Sequence, residues 1–519
     1  MKTSLFQDFV DFSNAEINNF ISEYKANIVP LGPEYNSMTH EESAEHLRLY
    51  RMAKKFCIPS NDSANDRKSA SVKAVFAYDT AGLSRFSIWD VPCERSRYRL
   101  NLMRFHLQRT LKKFKIDISD FDLPSGETSL SARGDVSTFA KLKDPAQWRV
   151  SPSCFGLFAQ ICYNSPGLKA AFRQHVAKYG KMRRLDNENG FQCFKRYLKA
   201  FVTFENYSRV TTVPKNNDVD RVILCEPLGN MIVQRCIAKA IIEHIEVQYG
   251  IDLLKAQDVH IRALMDEGIS TIDLSNASNS NWWCVVQWLL QGTPLLDLLS
   301  SSRLQTVKWK DTYHHLNMMS PMGNGFTFEV MTLILLALTR QFDDKSLVFG
   351  DDIIVKTETA TNVVTCLEFL GYSVNTTKTF IGSNFRESCG GFYNRGYILS
   401  FDFWYAEDIV GAITNVNKLF YLQKVDTSYR ELWMRLVERA PALLLGSFLY
   451  YTSWPLGRKI VQETTDYISL DCNLDLSSHV ICHPKYHAKR VKKMDPKAET
   501  TALESRMPLK FLTKKNALS

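Results

Sequence analysis

Three aspartates carry the residue types and spacing best suited to chemistry on a phosphate. Asp351 and Asp352 are adjacent and follow Gly350, in the stretch Leu347-Val348-Phe349-Gly350-Asp351-Asp352-Ile353-Ile354-Val355. Asp273 lies 78 residues upstream, in Ile269-Ser270-Thr271-Ile272-Asp273-Leu274-Ser275. Neighbouring carboxylates repel, so a buried group of them calls for a cation, and hard oxygen ligands suit Mg²⁺. Three convergent carboxylates can hold two such ions, one activating an attacking hydroxyl and one supporting a leaving phosphate oxygen. An aspartate-rich hairpin tip is also what an ordinary solvent loop looks like, and Asp273 also suits a turn or a helix cap. The tripeptide alone decides nothing.

The elements that must position these residues are legible around them. Apolar runs on both sides of Gly350 predict a hairpin with buried strands, and glycine holds a turn that a side chain would oppose. The run before Asp273 predicts a strand that delivers it at or near its end. Convergence requires the two elements to be neighbours in one sheet. Between them, Ser320-Pro321-Met322-Gly323-Asn324-Gly325 precedes a predicted helix over 326–340, leaving backbone N–H groups free for phosphate or ribose. Upstream, residues 211–221 (TTVPKNNDVDR) predict a polar loop carrying Lys215 and Arg221. Isoleucines and valines at helical spacing predict a packed helix over 231–249. The tryptophans of 282–288 read most simply as core of a further helix. Residues 60–68 (SNDSANDRK) predict a second polar loop, residues 385–391 a polar turn, and the chain from about 402 to 451 an apolar helical region.

Two segments are strongly basic. Residues 93–115 hold Arg95, Arg97, Arg99, Arg104, Arg109, Lys112, Lys113 and Lys115 against Glu94. Leu100, Met103, Leu107, Leu111 and Phe114 recur at three- and four-residue intervals, which predicts a helix with one buried and one basic face. Lys181, Arg183, Arg184, Lys195, Arg196 and Lys199 are interleaved with Phe191, Phe194 and Tyr197. Both patterns suit a nucleic-acid groove and equally an ordinary charged helix face. Net charge is +9, and residues 481–519 alone carry ten Lys/Arg against three Asp/Glu, so much of the excess is a C-terminal tail open to a polyanion or simply solvated.

The remaining composition narrows the class. With 45% apolar residues in a chain of 519, a large buried core is expected. Twelve cysteines without a CxxC pair suggest reduced thiols and a cytoplasmic setting. Cys482, His483 and His487 have no matching second ligand pair, so they read as a chance cluster. The apolar run 326–338 contains Glu329 and is too short to span a bilayer, so no membrane association is expected. The first 14 residues, with Asp8 and Asp11, do not read as a signal peptide.

In order along the chain, VPKNNDVDR (213–221), EPLGNM (226–231), TIDLSNAS (271–278), SPMGNGFTFE (320–329), FGDDIIV (349–355) and KTFIGSNFRESCG (378–390) resemble successive motifs of RNA-dependent RNA polymerases. Together they resemble the replicase β subunits of the small positive-strand RNA bacteriophages, the levivirus group, over roughly residues 211–397. The resemblance implies an α+β right-hand fold of fingers, palm and thumb, with a small antiparallel palm sheet backed by helices. On that pattern 1–60 is an N-terminal helical segment, 61–265 mainly fingers, 266–400 the palm, 401–480 a helical thumb and 481–519 a basic tail. It implies copying of a single-stranded RNA template into nascent RNA from ribonucleoside triphosphates, in the bacterial cytoplasm.

Residue by residue, it implies Asp273, Asp351 and Asp352 as ligands of two Mg²⁺ ions, with Mn²⁺ or Ca²⁺ able to take their place. Lys215 and Arg221 would neutralise the triphosphate, and Ser320, Gly323 and Asn324 would line the ribose site. Lys378 falls where such enzymes often place a general acid, though its stem could equally pack over Phe380. The second aspartate usual at the end of the first motif is here Asn279, which can bond a ribose hydroxyl but brings no charge. Relatives work with host elongation factors Tu and Ts and an RNA-binding ribosomal protein. Two other readings share these residues: a reverse transcriptase, and a non-catalytic RNA-binding protein on a degenerate polymerase fold.

Overall fold

The structure is a computed structural model that describes residues 2–56, 61–119, 121–123, 141–215, 219–320 and 322–441. The basic tail and the Cys482/His483/His487 cluster lie outside them. The class is α+β, with long helices around several small, mainly antiparallel sheets.

The centre is a three-stranded antiparallel sheet. Strand Asp352–Lys356 lies in the middle, with Leu347–Phe349 on one side and Ile269–Ile272 on the other. Pairing of Ile353 with Ile272 puts Asp352 and Asp273 at the same end of neighbouring strands. Val348, Ile353, Ile354 and Val355 are buried, as runs of β-branched residues on a covered sheet should be. Helix Thr327–Thr339 backs this sheet and is buried along its whole length except at Phe328. Helix Thr357–Phe369 covers its flank.

The predicted polar loop at 211–221 is instead most of a β-hairpin, and this corrects that expectation. Ser208–Pro214 pairs antiparallel with Asp220–Cys225, within a four-stranded sheet completed by Thr306–Trp309 and Thr312–His315. The predicted loop at 60–68 is also overturned, because helix Asn61–Ala81 runs through it. The helix is held from outside: Arg67 pairs with Asp220 at 2.8 Å, and Ser71 accepts from the Asp220 N–H. At its far end the buried Asp79 carboxylate accepts from the backbone N–H groups of Asn317 and Met318 and from His314. Helix Leu228–Tyr249 forms as its apolar spacing predicts and ends at Gly250, whose φ of +68° suits the left-handed closing position.

The second basic segment is less available than its sequence suggests. In helix Gly190–Phe201, Phe194 is buried and Arg196 chelates Glu188 at 2.9 Å. The aromatic positions there serve mainly the core. At the other end of the chain, helix Lys2–Glu23 packs on helices Ile409–Val425 and Ser428–Arg439. Phe9, Val10, Ile17 and Phe20 share a core with Ile413, Leu419, Leu432 and Trp433. Asn14 locks the contact with two hydrogen bonds to the backbone of Ala406, both 2.9 Å.

Candidate active site

The Gly-Asp-Asp tip is built from behind. Gly350 adopts φ +63°, and a Cβ there would lie 2.6 Å from the Phe328 ring, so only glycine lets the hairpin sit this close to the backing helix. Thr332 of that helix accepts from the Gly350 N–H at 3.1 Å. The turn then presents Asp351, half-exposed, while Asp352 begins the central strand. Asp273 follows the neighbouring strand, its N–H held by Thr379 at 3.2 Å and one carboxylate oxygen by the Asn375 amide at 2.6 Å.

The carboxylates whose ligand atoms gather within 4.8 Å of one another are Asp273, Asp352 and Glu387. Asp351 is not one of this trio, although it lies near enough for its charge to act on both other aspartates. Glu387 belongs to strand Phe385–Ser388, which is buried throughout and hairpins with Gly391–Asn394 where the sequence predicts a polar turn. Cys389 N–H and Ser388 Oγ donate to Asp352 Oδ1 at 3.0 and 3.4 Å.

Burial first, then Glu387, Asp351 and Asp273, push the Asp352 carboxyl up to about 7. Burial pushes Asp273 up to about 6, with Lys378 opposing and Glu387 and Asp351 adding to the rise. Such crowding is relieved by a cation. The cation at hand is Lys378, whose Nζ is 3.6 Å from Asp273 Oδ1 and 3.4 Å from Glu387 Oε2. Burial acts against its ammonium, but Glu387, Asp273 and Asp352 outweigh this and raise its pKa above the usual lysine range. The oxygen-only donor set, short of positive charge, fits a hard divalent cation.

Lys215 caps the 208–225 hairpin, its N–H on the Val219 carbonyl at 3.0 Å. Its pKa is lowered by partial desolvation and then by Arg221, Lys378 and Lys54. Lys54, on helix His40–Lys55, is also lowered, by burial and then by Lys378. The cations therefore converge on one region, and one of them comes from a segment whose sequence shows no chemistry. Only proximity in space reveals Lys54. Glu387 was legible as an acid within FRESCG, but nothing in the spacing aims it at Asp352.

The 320–325 loop is held from the protein side. Ser320 Oγ bonds Thr327 Oγ1 at 2.7 Å, and the Asn324 amide donates to Glu226 at 3.3 Å while its oxygen takes the Phe326 N–H at 3.1 Å. Gly323, at φ +105°, abuts Leu224, whose carbonyl would lie 2.4 Å from an added Cβ. The side chains of Ser320 and Asn324 are thus spent on shaping the loop. Asn279 stands on the short 3₁₀ turn Ala277–Ser280, half-exposed, with its N–H on the Asn276 carbonyl at 2.8 Å.

With this geometry in view, residues 160–410 match the family model described as RNA replicase, beta-chain. Over that region the chain is similar to the RNA replicase β-chain family. The chain is similar to the RNA-directed RNA polymerase subunit beta of Enterobacteria phage SP, 35% identical in an alignment that covers 61% of this chain and 55% of that one. The RNA-directed RNA polymerase beta chain of Escherichia phage MS2 is 30% identical over 295 residues, 49% of this chain and 52% of the relative. The chain thus spans about half the length of these replicases. A solved RNA-dependent RNA polymerase from bacteriophage phi12 overlaps 89% of this chain and 80% of its own at 12% identity, with a TM-score of 0.42. Among the described residues, no helix is long and apolar enough to cross a membrane.

Proposed function

We propose that this chain is the catalytic subunit of an RNA-directed RNA polymerase that copies a single-stranded phage RNA in the cytoplasm of a bacterial host. The observation that carries the reading is the pairing of Ile272 with Ile353, which sets Asp273 beside the Asp351–Asp352 tip on one sheet end. In this reading the sheet and its helices are the palm of a right hand, 266–400. Residues 61–265 are mainly fingers, the helices after 401 are the thumb, and residues 1–60 are an N-terminal segment whose helix Lys2–Glu23 packs against that thumb.

Asp273, Asp351 and Asp352 would hold two Mg²⁺ ions, which when bound activate the attacking 3′-hydroxyl and stabilise the leaving oxygens. Glu387 adds negative charge behind them. Lys215, Arg221 and Lys54 neutralise the incoming triphosphate. Lys378 keeps its Nζ proton beside Asp273, ready for the pyrophosphate oxygen as the α-phosphate is transferred. Ser320, Gly323 and Asn324 set the shape of the ribose loop, and Asn279 faces the sugar without a charge. Elongation factors Tu and Ts and an RNA-binding ribosomal protein complete the host partners in this reading.

The test is incorporation of labelled ribonucleotides on a defined RNA template, with and without bacterial extract, beside a parallel reaction with deoxyribonucleotides. Ribonucleotide incorporation alone is expected. Asp351→Asn should cut it by on the order of a thousandfold or more while sparing RNA binding. Glu387→Gln should raise the Mg²⁺ concentration needed by roughly tenfold. Synthesis unchanged in Asp351→Asn would remove that residue from the mechanism.

A further inference from the structure

Helix Glu94–Thr110 carries a second surface that the polymerisation reading does not use. Its inner face, Leu100, Met103 and Leu107, is fully buried against helices Trp283–Leu290, Thr327–Thr339 and Thr357–Phe369. The latter two lie between it and the central sheet, so this helix forms an outer layer away from the carboxylates. Several of its cations are structural: Arg97 bonds the Val91 carbonyl, Arg99 the Gln341 carbonyl, and Arg104 bonds Gln291 with its guanidinium 5.1 Å from the Trp288 ring centroid.

The outer face is different. Tyr98 and Phe105 are 60% and 62% exposed, and Trp89, just before the helix, is 79% exposed. Arg95 and Arg109 bracket the two helix aromatics, and Lys112, Lys113 and Lys115 continue beyond, all exposed, outnumbering the neighbouring acids Asp90, Glu94 and Asp117. At about 100° per residue Arg95, Tyr98, Phe105 and Arg109 share one stripe, opposite the buried face. Tyr98 and Phe105 stand two turns apart, about 10 Å, and the arginines about 21 Å apart. Large aromatics left this bare need an explanation, and their flanking charge states the sign of what covers them.

We propose that this stripe is a docking track for single-stranded RNA, outside the catalytic cleft, in which Tyr98 and Phe105 stack on bases while Arg95 and Arg109 meet phosphates. The proposal rests on the RNA reading above. Stacking needs unpaired bases, because a duplex hides its base faces, so the track distinguishes strand state rather than sequence. It retains a long template while the cleft holds a few nucleotides.

The experiment uses the full chain with its wild-type partners, a fluorescent unstructured A/U RNA of about 30 nucleotides, and the same sequence as a duplex. Tyr98→Ser/Phe105→Ser should weaken single-strand binding by roughly tenfold for each ring removed, leave duplex binding unchanged and leave the salt slope unchanged. Arg95→Ser/Arg109→Ser should instead flatten the slope of log affinity against log salt by about 0.7 for each phosphate no longer neutralised. Nucleotide addition on a short primed template should be unaltered in both variants. Single-strand affinity unchanged in the aromatic variant overturns the proposal, as does equal weakening toward duplex; loss of a protein partner with RNA affinity intact would also overturn it. Because binding is read without synthesis, a chain that fails to polymerise but shows these differences would sink the enzyme reading and keep the track.

Discussion

Glu226 is a fully buried acid outside the carboxylate cluster, yet it holds the 320–325 loop through Asn324 and helix Leu228–Tyr249 through Gln234. Burial pushes its carboxyl from the ordinary 4.5 up to about 7, partly offset by the hydrogen bonds from Asn324 and Gln234 and by the Arg303 charge. Its folded value lies above the unfolded one, so the stability it contributes is full below about pH 4.5 and is lost as pH rises through 7. A rise from 4.5 to about 7 corresponds to roughly 3 kcal/mol. Denaturant titrations across that window should show the unaltered protein losing this much relative to Glu226→Gln, whose curve should be flatter; parallel curves would show the side chain is solvated. At this scale the sequence is a partial guide. The aspartates at 273, 351 and 352 stand out because each is delivered by an apolar strand-like run and the Gly350 turn is tight. Glu387, Lys54 and Glu226 do not, since their importance lies in what surrounds them in space.

Among elements, the clearest dependence is the wedge of Trp282 between two glycines. An added Cβ at Gly82 would lie 1.9 Å from its ring and one at Gly371 2.4 Å away, and Gly371 also adopts φ +85°. The indole N–H donates to the Gly371 carbonyl at 2.9 Å. Gly371→Ala should therefore destabilise by roughly 2 kcal/mol or more, seen as a lower melting temperature, whereas Gly156→Ala, where no atom lies within 4 Å, should be nearly neutral. Helices with a long apolar period, such as Leu228–Tyr249, and the apolar-flanked hairpin at 347–356 were legible because periodicity survives any tertiary context. Among the elements that were not, two share a cause. The hairpin at 208–225 was masked by polar residues around its tip, although Val210, Thr211, Thr212 and Val213 favour strands. The helix from Asn61 begins in residues that favour turns, and Arg67 and Ser71 bind it to the Asp220 strand. In both cases a partner distant in sequence outweighs local preference.

Across the whole molecule, the chain's first helix and its last described helices form one packed unit, which a linear reading separates into an N-terminal segment and a distant helical region. Deleting residues 2–23 should strip the covering from Ile413, Leu419 and Trp433. Limited proteolysis should then cut within 409–439 far faster than in the intact chain, while the fragment holding the central sheet persists; equal cutting rates would show the packing is incidental.

The bond from Asn14 to Ala406 spans 392 residues. At synthesis rates of about 5–20 residues per second, the apolar face of the first helix emerges some 20–80 s before its cover is made. A nascent chain must shield that face for most of its birth, and a ribosome that stops early releases a protein with its opening helix permanently bare.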